Sequence, residues 1–314
     1  MADITLSVVT SLYRSAAHLT EFHRRASDAA ARLTNRYEII LVNDGSPDDS
    51  LEAAIAIQRR DPRVRVVDLS RNFGHHAALT AGLGHARGDL VFLIDSDLEE
   101  APEWLDEFHG CLVQTGADVA YGVQRTRKGG WFERASGWLF YEVVAKRLGL
   151  PVPPNVVTAR LMTRRFVDAL MQFRERENTL LSLCGITGFT QEPVWVQKLS
   201  LAQTTYSFAR RVSVLVNSIT SFSNRPLILV FYLGCFILAV SSAAALVLMW
   251  RWAVGGIGVP GYASLVVSVW FLGGLMVFCI GVVGIYLAKV FVEVKQRPPV
   301  IIRREYSSSE DGIS

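Results

Sequence analysis

The sequence predicts an α/β protein in which a mostly parallel central sheet is followed by interfacial helices and a two-helix transmembrane hairpin. Three observations carry that prediction. Short apolar runs alternate with helix-length stretches in the first part of the chain, polar clusters close those runs at their carboxyl ends, and two long charge-free segments follow Pro226.

The first apolar strand spans residues 6–11, and the Ala-rich stretch 18–33 reads as the helix behind it. Residues 37–43 (Tyr-Glu-Ile-Ile-Leu-Val-Asn) form the next strand, ending in Asp44-Gly45-Ser46-Pro47. The alternation repeats with a helix over 51–60, a strand over 64–68, a helix over 77–85 and a strand over 90–94. A helix beginning at Pro102 and a strand over 119–123 extend it. Ligands of such sheets collect beyond the carboxyl ends of the strands, where the polar clusters fall.

Residues 227–250 are 24 consecutive positions without a charge, and 252–288 are 37 more. Gly255, Gly256, Gly258, Pro260 and Gly261 make the start of the second run a loop, leaving spans of 227–250 and 262–288, each long enough to cross about 30 Å of hydrocarbon. Only Arg251 lies in the hairpin loop, whereas Lys289, Lys295, Arg297, Arg303 and Arg304 follow the second span. The positive-inside tendency therefore places a tail, 292–314, in the cytoplasm, with the N-terminal domain on the same side of an inner or cytoplasmic membrane.

The division expected is a catalytic domain over 1–204, an amphipathic helix over 205–225, and two spans within 226–291. Within the domain, 131–148 mixes Trp131, Trp138 and Tyr141 with Arg134 and Arg147 and reads as an interfacial helix. Phe208, Val212, Leu215, Ile219 and Phe222 line one face of the second such helix, with Arg210 and Arg211 off that face. Arg125, Arg210 and Arg211 are candidates for a lipid phosphate; a solvated face is the alternative reading. The start lacks the pattern of a secretory signal, and the four cysteines lack metal-type spacing. A net charge of +3 gives no reason to expect nucleic acid, and a lipid bilayer is the natural partner.

Two clusters carry chemistry. Asn43-Asp44-Gly45-Ser46, with Asp48, Asp49 and Ser50 behind it, puts a carboxylate at a strand end to accept from a base or ribose, while Ser46 or Asp49 caps the next helix. A plain turn and cap explains the same residues. The second is Asp95-Ser96-Asp97-Leu98-Glu99. Alternate positions at a strand end share a side, so Asp95, Asp97 and Glu99 are expected to converge on a hard divalent cation, Mg2+ or Mn2+, that would neutralise a nucleotide diphosphate. His75 and His76 follow Asn72-Phe73-Gly74. Adjacent helical positions point different ways, so one is expected near the donor and the other packed.

Segments 38–46, 69–82 (Leu-Ser-Arg-Asn-Phe-Gly-His-His-Ala-Ala-Leu-Thr-Ala-Gly) and 94–99 together resemble the family-2 inverting glycosyltransferases. More narrowly they resemble the branch of polyisoprenyl-phosphate glycosyltransferases and dolichyl-phosphate mannose synthases. The resemblance continues through Thr204-Thr205-Tyr206-Ser207, 218–223 and both apolar runs, to about Val294. It implies a GT-A-type nucleotide-sugar-binding fold, a metal held by Asp95, Asp97 and Glu99, and base recognition by Tyr13 and Asp44. Ser11, Ser46, Arg71, Asn72, Asp95 and Ser96 fall at its other nucleotide-sugar positions, Asp97 and Arg160 at catalytic ones, and Arg134 at a basic position used for lipid phosphate. It also implies a homo-oligomer, for which Gly273, Gly274, Gly281 and Gly284 allow close helix packing.

The chain departs from the family where relatives carry an acid before Phe-Arg-Leu: here 157–161 reads Val-Thr-Ala-Arg-Leu, with Thr158 at the acid position and no replacement base evident. A phosphate monoester, with a second pKa of about 6, is largely dianionic at neutral pH and attacks without a base. The expected reaction is transfer of a sugar from a nucleotide-sugar donor to polyprenyl phosphate with inversion. Two alternatives stay open: extension of a lipid-linked saccharide at a sugar hydroxyl, and a non-catalytic scaffold or transporter subunit with a degenerate nucleotide-sugar domain.

Overall fold

A computed structural model describes residues 5–124, 155–173, 180–198, 225–254 and 262–308. Its eight-stranded sheet runs β7-β5-β6-β4-β1-β2-β3-β8. The strands in chain order are β1 (Leu6–Leu12), β2 (Tyr37–Asn43), β3 (Val64–Leu69), β4 (Leu90–Leu93), β5 (Val119–Gln124), β6 (Val156–Thr163), β7 (Gln191–Val196) and β8 (Ile302–Tyr306). The helices between them, numbered over the described residues, are α1 (Ala16–Leu33), α2 (Ser50–Gln58), α3 (His75–His85), α4 (Trp104–Thr115), α5 (Arg164–Leu170) and α6 (Leu180–Ile186).

β1 pairs in parallel with β2 and β4, and β2 with β3, as the strand and helix alternation predicts. Every residue of β1 and β2 is buried, which requires helices on both faces. Side chains alternate accordingly. Leu6, Val8, Ile39 and Leu41 join Phe22 of α1 and Phe108 of α4 in one core. Val9, Ile40 and Val42 join Leu79 of α3 and Phe166 of α5 in the other. Each such side chain, fully buried, contributes about 1.5–3 kcal/mol.

Chain order reverses between β1 and β4, and the crevice at their carboxyl ends is where this sheet type takes its ligands. β6 runs antiparallel between β4 and β5, so the stretch containing Thr158 and Arg160 is a strand beside the crevice.

The final strand departs from the reading of 292–314 as a tail. β8 pairs antiparallel with β3 through Val66↔Tyr306 and Val67↔Glu305, and the segment containing it groups with the sheet. As an edge strand it carries Arg303, Arg304 and Glu305, which disguise it in sequence.

The second unit contains α7 (Arg225–Ala253) and α8 (Tyr262–Val294), which cover both apolar runs. Among the described residues, one stretch, Phe271–Val294, is long and apolar enough to cross a membrane, and none of its 18-residue apolar window is buried. Phe231, Phe236 and Trp250 of α7 are exposed, as are Phe271, Met276 and Phe278 of α8. The interfacial helices expected over 131–148 and 205–225, with Arg134, Arg210 and Arg211, lie outside the described residues, as does Arg125.

Candidate active site

Two loops beyond β2 and β3 lock onto each other. Asp44, 2% exposed, accepts the backbone N–H of Phe73 at 2.7 Å and of Gly74 at 3.0 Å, while Asn72 Nδ2 donates to the Asp44 carbonyl at 3.1 Å. Burial raises the Asp44 pKa, against the pull of those two amides. Gly45 permits the approach: its φ is +56°, and a Cβ there would lie 2.4 Å from Arg71 C and Asn72 N. Arg71 stacks over Phe73, 4.1 Å from the ring centre. The structure thus brings together Asp44, Arg71 and Asn72, with the Asp44 carboxylate engaged by backbone.

The end of β1 joins the same rim. Ser46 Oγ accepts Arg14 N–H at 2.7 Å, and Arg14 takes a φ of 56°. Tyr13 is 48% exposed at this rim, with Arg14 5.7 Å from its ring centre. Asp49 is the N-cap residue of helix α2, one of the two expected, but its side chain makes no capping hydrogen bond. Asp48 accepts instead, from Ser46 Oγ, from Ser50 Oγ at 2.6 Å and from Ser50 N–H at 3.3 Å. Against the cost of burial, these bonds lower the Asp48 pKa to about 2.

Behind that rim a polar chain crosses the switch point. Ser96 Oγ donates to the Ser11 carbonyl at 2.9 Å and lies 3.0 Å from Ser15 Oγ, and Ser11 Oγ is 2.8 Å from His75 Nδ1. His75 Nε2 in turn lies 3.2 Å from Asp95 Oδ1. Burial disfavours charge on His75, but Asp95, Glu100 and Asp44 outweigh it and raise its pKa. His76 points elsewhere: burial, then the charges of His75 and Arg160, lower its pKa to about 4.

The acidic run is built differently from the strand extension expected. β4 ends at Leu93, and residues 95–99 form a turn with Leu98 at φ 60° and Glu99 N–H donating to Asp97 Oδ1 at 2.9 Å. Alternation along a strand therefore does not aim Asp95, Asp97 and Glu99 at one point. Among the described residues, no three His, Cys, Asp or Glu side chains converge as a ready-made metal set. A cation does reach the cluster: Lys198 Nζ lies 3.3 Å from Glu99 Oε2, 3.7 Å from Glu100 Oε1 and 4.0 Å from Asp95 Oδ2. Asp95 Oδ1 is buried and has no hydrogen-bond partner among the described residues; its contact with His75 is one of charge and distance. These are hard oxygen donors around a positive charge.

Glu100 and Lys198 escaped the sequence reading. Glu100 is fully buried and accepts Thr158 N–H at 3.0 Å and Asp95 N–H at 3.4 Å. Burial and the charge of Asp95 push its pKa up to about 7. In sequence it is one more acid behind three others. Lys198 follows β7, whose place in the sheet has no local signature. Both border a polar cavity of about 230 Å³ that Gln124, Asn155 and Thr158 also line. Arg160, 2% exposed, donates to the carbonyls of Thr158 at 3.1 Å and Val157 at 3.3 Å and to Cys184 Sγ at 3.0 Å. Its guanidinium faces the interior behind the strand.

A mostly parallel α/β sheet with carboxylates gathered at its switch point is a framework that binds its ligand beyond the carboxyl ends of the strands. The chain belongs to glycosyl transferase family 2, whose family model matches residues 7–171. It is 50% identical over 303 residues to a protein of Mycobacterium tuberculosis named for the glycosyltransferases, covering 96% of this chain and 89% of that one. It is 30% identical over 308 residues to the SfII prophage-derived bactoprenol glucosyl transferase of Shigella flexneri, covering 96% of this chain and 98% of that one. Among solved structures it is similar to glucosyl-3-phosphoglycerate synthase from Mycobacterium tuberculosis in complex with phosphoglyceric acid. That likeness has a TM-score of 0.49 and 21% identity, and covers 71% of this chain and 81% of that one.

Proposed function

We propose that this family-2 enzyme transfers a sugar from a nucleotide-sugar donor to polyprenyl phosphate at the cytoplasmic face of the membrane, inverting the anomeric centre. The observation that carries the reading is the end-to-end similarity to a bactoprenol glucosyl transferase, which includes the C-terminal helices as well as the catalytic sheet. The locked loops 43–46 and 71–74, with Tyr13, Ser11 and Ser96, would receive the nucleotide at the switch point.

The carboxylate oxygens gathered around Lys198 are hard donors that fit a divalent cation, with Asp95, Asp97 and Glu99 as its proposed holders. When bound, Mg2+ or Mn2+ supplies charge stabilisation for the departing diphosphate. Asp95 is kept in position by His75, and Ser96 fixes the turn against β1. Arg125, Arg134, Arg210 and Arg211 are proposed for the lipid phosphate, which as a dianion attacks without a base.

Pairing of β8 with β3 supports the two-span topology. The segment after α8 belongs to the same sheet, so any bilayer crossings by the chain between β7 and β8 would be even in number. A hairpin of α7 and α8 meets that condition, and the basic residues beyond α8 favour the cytoplasmic side.

One observation favours a second reading, extension of a lipid-linked saccharide. Glu100, with its pKa near 7, borders the cavity beside Thr158 and would serve a hydroxyl acceptor as general base. The deciding experiment incubates purified protein and polyprenyl phosphate with a panel of radiolabelled nucleotide sugars, with Mg2+ or Mn2+ and with chelator. An acid-labile, metal-dependent lipid product is expected, and Asp97→Asn should abolish it. Product only on a lipid-linked saccharide would move the acceptor to a hydroxyl, and full activity of Asp97→Asn would remove the metal assignment.

A further inference from the structure

The strand after the membrane segment does more than close the sheet edge. Arg303 of β8 forks between two acceptors: Nη1 lies 3.3 Å from Asp68 Oδ2, and Nη2 donates to the Ser70 carbonyl at 2.6 Å. Ser70 also gives its N–H to the Ile301 carbonyl at 2.8 Å. Asp68 is 1% exposed, and its other oxygen accepts Asn43 Nδ2 at 2.8 Å. Asn43 Oδ1 in turn accepts Ser46 N–H at 3.3 Å. From one guanidinium, two branches therefore reach the donor rim, through Asp68 and Asn43 to Ser46 and through Ser70 to the 71–74 loop that clasps Asp44.

We infer that Arg303 is a positioning residue for the nucleotide donor, acting through Asp68, Asn43 and Ser70. The chemistry favours an arginine. A buried carboxylate without its cation is costly, and a fork satisfies a carboxylate and a carbonyl at once, which an ammonium does less well. The guanidinium is partly solvated, with 57% of its side chain exposed, so its removal leaves both cores intact. What it loosens is the seam between β3 and the two loops. The strand beyond α8 thereby becomes part of donor recognition although it touches no donor atom.

The inference rests on the donor reading of these loops and not on the acceptor. Its test uses the full-length protein in lipid nanodiscs, comparing wild type with Arg303→Ala, Arg303→Lys and Arg304→Ala. The last removes an equal charge from the same strand, from a side chain lying over Tyr306. Arg303→Ala should raise the donor KM about tenfold with kcat changed less than about threefold, the pattern of lost binding common to ground and transition states. Arg303→Lys should recover part of the loss, and Arg304→Ala should resemble wild type. Hydrogen exchange should quicken in peptides covering 43–46 and 70–74 and stay unchanged in β1 and β4. An unaltered KM in Arg303→Ala, or equal effects of Arg303→Ala and Arg304→Ala, would overturn the inference. Either acceptor gives the same donor KM comparison, so a wrong acceptor leaves this test standing. If the wild type turned over no donor, the transferase reading would fall and the exchange experiment alone would decide the coupling.

Discussion

Gly45→Ala should damage this protein far beyond an ordinary glycine replacement, for reasons measurable in the structure. The position holds a φ of +56°, where a residue with a Cβ pays about 1–2 kcal/mol. The added Cβ would also stand 2.4 Å from Arg71 C and Asn72 N, about 1 Å inside ordinary contact, and both neighbours are backbone. Relief requires the 71–74 loop to retreat, which breaks at least one of the amide bonds to the Asp44 carboxylate, worth about 1.5–3 kcal/mol. The combined cost is about 2.5–5 kcal/mol. Gly116→Ala supplies the control: its φ is +65°, but its Cβ would meet nothing within 4 Å, so only the conformational cost applies. Thermal unfolding in detergent should show Gly45→Ala melting about 10 °C below wild type and Gly116→Ala only a few degrees below. Donor KM should rise in the first alone. Equal melting shifts, or an unchanged KM in Gly45→Ala, would refute the claim that the loop clasp shapes the donor rim.

Glu100→Gln should leave transfer to polyprenyl phosphate within about threefold of wild type, whereas a hydroxyl acceptor needing this base would lose about 10²–10⁴-fold; initial rates on the two acceptors decide. His76 has a folded pKa of about 4, below its unfolded value, so the stability it contributes is complete above pH 6.5 and lost as pH falls toward 4. His76→Gln should flatten the melting temperature profile over that window, while the raised pKa of neighbouring His75 acts in the opposite sense in both proteins. For topology, alkaline phosphatase inserted within 255–261 should be active in cells and a fusion after Ser314 inactive; activity of both would rule out the proposed two-span hairpin.

The parallel core was legible because its signals are local. Buried strands such as β2 read as unbroken apolar runs, and their polar ends mark the crevice without knowledge of any partner. The clasp around Asp44 was half legible: Asn43-Asp44-Gly45-Ser46 stands out as a polar cluster at a strand end, but only the pairing of β2 with β3 brings the 71–74 loop to Asp44. The acidic run misled because strand alternation was extended past Leu93, where the chain turns and Leu98 takes a positive φ. Glu100 looked like one acid among several. Its burial against Thr158 depends on β6, an antiparallel insertion whose neighbours β4 and β5 are both distant in sequence.

β8 carries the same lesson to its limit. Five residues with three charges resemble a solvated tail, because an edge strand needs apolar contact on one face only and is protected from wrong pairing by charge on the other. Here the charges also have particular partners: Arg303 meets Asp68, and Glu305 meets His85 at 3.1 Å and Arg65 at 3.6 Å. Each of those partners lies more than two hundred residues away, across the apolar helices, so no window of sequence contains the pair. The pairing that sequence could not reveal also constrains the rest of the molecule: a strand that must return to the catalytic sheet fixes the parity of any membrane crossing before it, and its arginine ties that return to the loops proposed to hold the donor.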